Sequence, residues 1–321
     1  MILLITNSKD ATADYFCSYL SLHDIPFFRF NTDKFLSHYQ VNFTFKNGGS
    51  SFELSVLDSN TNICSEQICG VWYRRPVNPL VNIKDTSKEN LKELSLEARL
   101  QYETIIRTLT RPLWVSNPDK LRYAEDRILQ LKVAKAIGFE VPDTIISNSP
   151  KTVKAFVETF EKVCIKSLHL GTLEIDGSLR IFYTSIIEEG DWEIVEKSRF
   201  FPLMLQQYIH KKHEYRITVV GKEVIPVKVI PEDNQAMVDW RIENGNRVIY
   251  KLVSLPESVM QMSRSIVTEL GVRFASMDVI ESSNGDFYFL DLNPNGQWAW
   301  LDQTINTNIA AQLSSLLSAE G

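Results

Sequence analysis

The run 286-DFYFLDLNPNGQWAWL-301 constrains this chain more than any other stretch. A strand-like segment, Phe287 to Leu290, stops at an acid, Asp291, and is followed by an Asn-Pro-Asn-Gly turn signal and two tryptophans. Alternation along a strand puts Phe287, Phe289 and Asp291 on one face, with Asn293 just beyond. A second strand pattern, 276-SMDVI-280, lies just upstream, and Asn284-Gly285 between them is a hairpin signal. Such a hairpin brings Asp278, Asp291 and Asn293 together. Two carboxylates and an amide oxygen are a hard-oxygen donor set suited to Mg²⁺. The other reading is that the two acids merely flank turns.

The rest of the chain is consistent with a mixed α/β protein of several units. Its 321 residues are enough for two or three domains of ordinary size, and 44% hydrophobic with 23% charged residues is a globular composition. The first third alternates: strands at 2–6, 27–30 and 71–73, helices at 11–23 and 87–109, and a hairpin, 41–45 with 52–57, around Asn47-Gly48-Gly49. Pro and Asn cluster at 112-PLWVSNPDK-120, which marks a boundary. Beyond it the pattern predicts helices at 123–137 and from Pro150 to about 160. Strands are predicted at 163–167, near 173, and at 180–184. The last third reads as strands at 203–207, 215–220, 224–230 and 247–252, a helix at 257–270, the hairpin above, and a closing helix at 305–317. The expected division is an N-terminal α/β domain (1–115), a small central α+β domain (116–202) and a larger C-terminal α+β domain (203–321).

Several classes of function are disfavoured. The formal charge of −6 argues against a general nucleic-acid binder. No apolar run reaches the roughly 18 residues of a membrane span, and the start MILLITNSKD reads as a first strand rather than a signal peptide, so a cytoplasmic location is expected. Of the four cysteines only Cys64 and Cys69 are close, with no histidine beside them, which favours free thiols over zinc. His210 and His213 sit in a lysine-rich stretch better read as a solvated turn than as ligands. The first strand-to-helix turn, 6-TNSKDAT-12, has no glycine, which removes the dinucleotide-binding fingerprint.

Two further constellations carry chemistry. Lys166 stands inside the apolar strand 163-VCIKS-167; it either snorkels from an edge strand or contacts phosphate. In 205-LQQYIHKKHEYRITVVG-221 a strand ends at Gln206-Gln207-Tyr208-Ile209, and a new strand carries Glu214 and Arg216 two apart, on one face. These two form a surface ion pair or meet a nucleotide. Arg74 and Arg75, before Pro76, are either an ion pair between domains or a fork for carboxylate. Trp298 and Trp300 either wall a channel or fill the core.

The order Lys166, Gln207-Tyr208-Ile209, Glu214-Tyr215-Arg216, Asp278, Asp291-Leu292-Asn293 resembles the ATP-grasp ligases. The segments 71-VWYRRP-76, 239-DWR-241 and 293-NPNGQWAWL-301, with 28-FRFNTDKF-35 and 125-EDRILQLKVAKAIGFEVPDT-144, resemble a narrower group. These are the graspetide (microviridin-type) macrocyclases and related grasp-with-spasm peptide maturases. The resemblance covers essentially the whole chain. It implies an ATP-grasp fold with a Rossmann-like pre-ATP-grasp domain. It implies ATP and Mg²⁺ as cofactors, with Lys166 and Arg127 on the phosphates and Gln206 to Ile209 as the hinge whose backbone reads adenine. Glu214 would take the ribose, and Asp278, Asp291 and Asn293 would hold the metal. Arg216 and Arg241, with Lys166, would be catalytic. Arg74, Arg75, Arg216, Arg241 and Trp298 would meet the substrate. Arg127 stands where many relatives have lysine, Gln207 where glutamate is more frequent, and Asp291 where glutamate is more frequent.

The implied partner is a ribosomal precursor peptide, a leader plus an acidic core, with the enzyme a homodimer; neither nucleic acid nor membrane is expected as a partner. The implied reaction activates Asp or Glu side chains as acyl phosphates, releasing ADP. Capture by a Ser/Thr hydroxyl or a Lys amine then gives an intramolecular ester or amide. Leader recognition would involve the central domain and the strands near Val224 to Ile230. Two alternatives share the same motifs: a ligase adding an amino acid to a protein, like the glutamate ligases that modify ribosomal protein, or joining small molecules, and a nucleotide-binding sensor without chemistry.

Overall fold

A computed structural model describes residues 1–57, 59, 61–79, 87–168, 172–175, 178–181, 184–188, 191–232 and 248–319. The N-terminal elements are β1 (Ile2–Thr6), α1 (Ala11–Leu22), β2 (Phe27–Asn31), α2 (Phe35–His38), β3 (Tyr39–Lys46), β4 (Gly49–Val56), β5 (Asn62–Cys64), β6 (Gly70–Tyr73), α3 (Lys88–Thr108) and β7 (Leu113–Val115). β1 is flanked by β2 and β6 in a parallel sheet of order β2-β1-β6-β7, whose continuous apolar runs are covered on both faces. Asp10 starts α1 by accepting the N–H groups of Thr12 and Ala13. The hairpin β3-β4 turns at Asn47 and Gly48, both at positive φ, and β5 completes a small antiparallel sheet.

Next come α4 (Pro118–Ala124), α5 (Arg127–Ala136), β8 (Thr144–Ser147), α6 (Pro150–Val157), β9 (Val163–Lys166), β10 (Thr172–Ile175), β11 (Ser178–Ile181), β12 (Ser185–Ile186), α7 (Trp192–Lys197) and β13 (Leu203–Gln207). The predicted single helix at 123–137 is two helices, because the Asp126 carboxylate accepts the Leu129 N–H at 2.8 Å and caps a new start. The central sheet runs β12-β9-β13-β8. β13 is therefore a strand of this sheet, although the expected division placed 203–207 with the C-terminal part.

The remainder is β14 (Lys211–Val220), β15 (Glu223–Pro231), β16 (Val248–Leu252), α8 (Glu257–Glu269), β17 (Phe274–Ser282), β18 (Phe287–Asn293), α9 (Ala299–Ile305) and α10 (Ile309–Ser318). Its sheet has the order β16-β15-β14-β17-β18, antiparallel throughout. One face buries Tyr215, Ile217, Val219, Met277, Val279 and Phe289 against residues of α4, α5 and α8. The opposite face continues through Val220, Val227 and Phe274 into a core shared with β1, α1, Trp72 and α10. α10 rests so closely on β6 that a Cβ at Gly70 would lie 2.2 Å from the Leu317 carbonyl oxygen. The units are thus joined by shared cores rather than by linkers alone. The closing helix predicted at 305–317 starts later, at Ile309, and is preceded by the separate α9: Asn306 and Asn308 are left-handed, and the buried Asp302 accepts the N–H groups of Ile309 and Ala310 to start α10.

Candidate active site

Strand register builds the site. Arg216 on β14 pairs with Asp278 on β17, and Asp278 pairs with Asp291 on β18, so three charged residues stand in one row across three strands. The row below it is Thr218, Ser276 and Asn293. Simple alternation predicts that Phe289 and Asp291 share a face; they do not. Val279 pairs with Phe289 while Asp278 pairs with Asp291, so Leu290 is an extra residue in a bulge. The bulge leaves Phe289 fully buried in the core and turns Asp291 to the site face, beside Asp278.

Each acid has an arginine. Arg216 donates to Asp278 at 2.8 Å, and Arg127, the first residue of α5, donates to Asp291 at 2.6 Å. Each of these bonds engages one carboxylate oxygen. Asn293 uses Oδ1 to accept the Asn295 N–H at 2.9 Å, tying the ligand position to the turn that follows. Two neighbouring carboxylates and an amide oxygen fit a hard divalent cation that keeps some of its waters.

Lys166 reaches this row from the central sheet. It is half-buried at the end of β9, opposite Met204, and feels Asp291, Arg127 and Asp278 electrostatically. Burial lowers its pKa from the usual 10.5. Among the described residues its ammonium has no hydrogen bond or ion pair. An ammonium held beside two acids and an arginine has the charge to meet the oxygens of a polyphosphate.

The hinge connects the two sheets. The Gln207 N–H donates to Asp143 O and the Tyr208 N–H to Lys162 O, whereas the Ile209 N–H makes no hydrogen bond among the described residues. The Gln206 side chain is buried and donates to Thr144 Oγ1, so it supports the strand rather than facing a ligand. Glu214, nearly buried, stands on β14 on the same face as Arg216, paired with Lys211.

Two expected substrate residues are placed otherwise. Arg74 is 1% exposed, with Nε 3.0 Å from Asp10 and Nη1 donating to the carbonyls of Asn295 and Gly296. It lies over the Trp72 ring, and burial lowers its pKa to about 10. It latches the N-terminal domain to the turn behind the site. Trp298 is fully buried among Tyr15, Phe16 and Trp72, so it offers no surface to a ligand; the packing of α9 on α1 requires that volume. Trp300 packs edge-on against Tyr250. Arg75 is exposed, at φ +44°, and within electrostatic reach of Arg216. Arg241 lies outside the described residues.

Two supporting residues escape sequence reasoning. Gln130, one turn after Arg127, is buried and accepts the Leu292 N–H at 3.1 Å while donating to Leu292 O at 2.9 Å and Ala124 O at 2.7 Å. It pairs with β18 as a neighbouring strand would, fixing the residue between Asp291 and Asn293. Its only signal is a polar side chain at a core position of a helix. Gly296 is required because a Cβ there would meet Ser276 Cβ at 2.7 Å and Arg216 Nη2 at 3.1 Å.

A strand pair presenting acids toward a lysine from a second sheet, with a hinge strand between them, is the ATP-grasp arrangement, and the chain has the ATP-grasp fold. Two family models match consecutive parts of the chain and agree with that fold. The MvdD pre-ATP-grasp domain model matches residues 1–122, and the ATP-grasp domain model of prokaryotic glutathione synthetase matches residues 130–284. Among solved structures, the chain is similar to a Chryseobacterium gregarium RiPP-associated ATP-grasp ligase in complex with ADP and a leader and core peptide. That likeness has 26% identity and a TM-score of 0.87, over 98% of this chain and 96% of the other. The macrocyclase MdnC from Microcystis aeruginosa, bound to its precursor peptide MdnA, has 24% identity and a TM-score of 0.84 over 99% of both chains, and supports the fold. A RimK domain ATP-grasp protein from Sphaerobacter thermophilus has 12% identity and a TM-score of 0.57 over 99% of both chains. An uncharacterised protein of Methanocaldococcus jannaschii is 21% identical over 201 residues, 62% of this chain. The chain spans about half, 48%, of that curated relative's length.

Proposed function

We propose that the protein is an ADP-forming ATP-grasp ligase that activates Asp or Glu side chains of a ribosomally made precursor peptide and crosslinks them within the same peptide. The observation that carries this reading is the row Arg216–Asp278–Asp291 facing Lys166 across the hinge. The likeness to a peptide-bound RiPP-associated ligase along nearly the whole chain supports the peptide as substrate.

The chemistry follows from charge. Transfer of a phosphoryl group to a carboxylate brings anions together, so it needs fixed cations and little reorganisation. Lys166 and Arg127 supply positive charge from two directions on the phosphate side. Arg216, planar and forked, orients the carboxylate that attacks. Mg²⁺ held by Asp278, Asp291 and Asn293 would neutralise the phosphate oxygens. The Gln207–Ile209 backbone takes the base, with the Ile209 N–H as its donor, and Glu214 the sugar hydroxyls. The acyl phosphate then meets a hydroxyl or amine of the same peptide, and phosphate leaves. Arg75 stands beside Arg216 to hold the carboxylate or its neighbour; Arg241 has the same proposed role.

The homodimer and the cytoplasmic location belong to the same reading; among the described residues no helix is long and apolar enough to cross a membrane. Intact mass spectrometry of an acidic, Thr-rich precursor peptide incubated with protein and MgATP tests the proposal. Loss of one water per ring, matched by one ADP, is expected. A mass gain equal to an added amino acid overturns the intramolecular reading in favour of an intermolecular ligase.

A further inference from the structure

A cleft of about 780 Å³ lies between the N-terminal domain and α4, and two of its lining residues touch on the site: Arg75 feels Arg216 electrostatically, and the Asn295 N–H donates to Asn293. Arg75 and Asn295 line the end nearest the row, and Asn295 is held there by the Arg74 latch. The other end lies between the C-terminal half of α3 and the start of α4, where Arg99, Arg107 and Arg122 form the rim. We propose that this cleft is a second binding site, for the carboxylate-bearing stretch of peptide that flanks the reacting acid; it rests on the ligase reading above.

The arginines are already ordered. Glu103 accepts from Arg99 Nε at 2.9 Å and from Arg107 Nη2 at 2.8 Å, so one carboxylate aligns two guanidiniums. Each spends one donor there and keeps the others, and both side chains are more than half exposed. Two guanidiniums on one carboxylate leave an excess positive charge facing the cleft. Hydrogen bonding to Arg99 lowers the Glu103 pKa, so this arrangement persists in mild acid. The wall is rigid and amphipathic: Tyr102 donates to the Tyr73 hydroxyl at 3.2 Å, and the Trp114 indole donates to Leu109 O at 3.0 Å. At the near end the Arg75 carbonyl accepts from Asn7 Nδ2 at 2.7 Å, which fixes its left-handed backbone. The acids Asp119 and Glu125 also line the cleft; Asp119 is occupied by Arg122, and Glu125 acts electrostatically on Arg75. A volume of this size suits a segment of a few residues rather than a folded partner.

The test is fluorescence anisotropy with a fluorescein-labelled peptide of alternating Thr and Glu, titrated with the full chain in MgADP. The variants are wild type and Arg99→Glu/Arg107→Glu. Both sites are surface positions, and a thermal melt checks that the double variant is folded. The double reversal is expected to weaken the acidic peptide about tenfold or more while MgADP affinity is unchanged. A Thr–Lys peptide is expected to bind wild type more weakly and the variant more tightly. Equal affinity of the acidic peptide for both proteins overturns the proposal, as does preference of wild type for the Thr–Lys peptide. If both proteins process an acidic precursor with the same KM, the cleft is refuted and the ligase reading stands. If neither turns over any peptide yet the variant alone loses the acidic one, the cleft stands and the ligase reading fails.

Discussion

Two arginine–aspartate pairs lie on opposite sides of the turn at 293–296, and they do different work. Arg74 and Asp10 are both almost fully buried, and Arg74 Nη1 donates to the turn carbonyls of Asn295 and Gly296. Arg216 and Asp278 are the same chemical groups at 12% and 13% exposure, but one face of their row is open to Lys166 and the hinge. A charge pair sealed from water and from ligands can only hold parts together. A charge pair at the edge of a cleft can exchange its partner for phosphate, metal or carboxylate. The difference lies in access, not in residue type, and neither sequence spacing nor charge reveals it.

That contrast predicts opposite phenotypes. Arg74→Ala leaves the buried Asp10 charge without its cation, though still bonded to the start of α1, and should cost about 3–5 kcal/mol of stability, read from chemical denaturation. A loss under about 1 kcal/mol would place Arg74 among the exposed pairs instead. Asp278→Asn and Asp291→Asn should leave stability nearly unchanged and lower kcat by roughly 10²–10³, the scale for losing one charge-stabilising group. If these variants unfold while retaining turnover per folded molecule, the two pairs have been assigned the wrong way round. Gln130→Leu removes a buried partner from Leu292 and Ala124 and should cost about 1–3 kcal/mol. It should also weaken Mg²⁺ dependence by disturbing Asp291 and Asn293 together.

Lys166 sharpens the comparison through pH. Burial lowers its pKa, so the native protein sheds this proton before the unfolded chain does. Below the lowered value both states carry the ammonium, and its burial costs stability. As pH rises through the native pKa that cost is relieved, while the charge that binds phosphate disappears. Nucleotide affinity should therefore fall in a window that opens below the usual 10.5, and Lys166→Gln should bind weakly without that dependence. A wild-type affinity flat to pH 10.5 would refute this role. The smallest effect is expected at the exposed Lys135–Glu140 pair, where Lys135→Ala should change stability by less than about 1 kcal/mol.

Much of the fold is legible in the chain. Ile2–Thr6, the Asn47-Gly48 hairpin and the pair of strands carrying Asp278 and Asp291 follow from alternation and turn residues. So does the meeting of Asp278 and Asp291 across the hairpin, whereas the place of Arg216 beside Asp278 depends on the long-range pairing of β14 with β17. The face of Asp291 was not legible, since a one-residue bulge at Leu290 reverses the alternation and only the register with β17 shows it. Helix breaks at Asp126 and Asn306 were hidden because capping depends on where one side chain lands. Trp298 and Arg74 were misplaced for a common reason. Their environment is set by α1 and β6, far away in sequence, packing against α9 and its preceding turn. Gln130 carries only the weak signal of a polar side chain at a core position of its helix.

The central claim is that this row of charges lets a peptide side-chain carboxylate attack ATP. The most direct measurement is a single turnover with a precursor peptide whose Asp and Glu side chains carry oxygen-18. One labelled oxygen in the released phosphate is expected for each crosslink formed, with Asp291→Asn keeping that ratio at its lowered rate. Crosslinked peptide accompanied by unlabelled phosphate would contradict it.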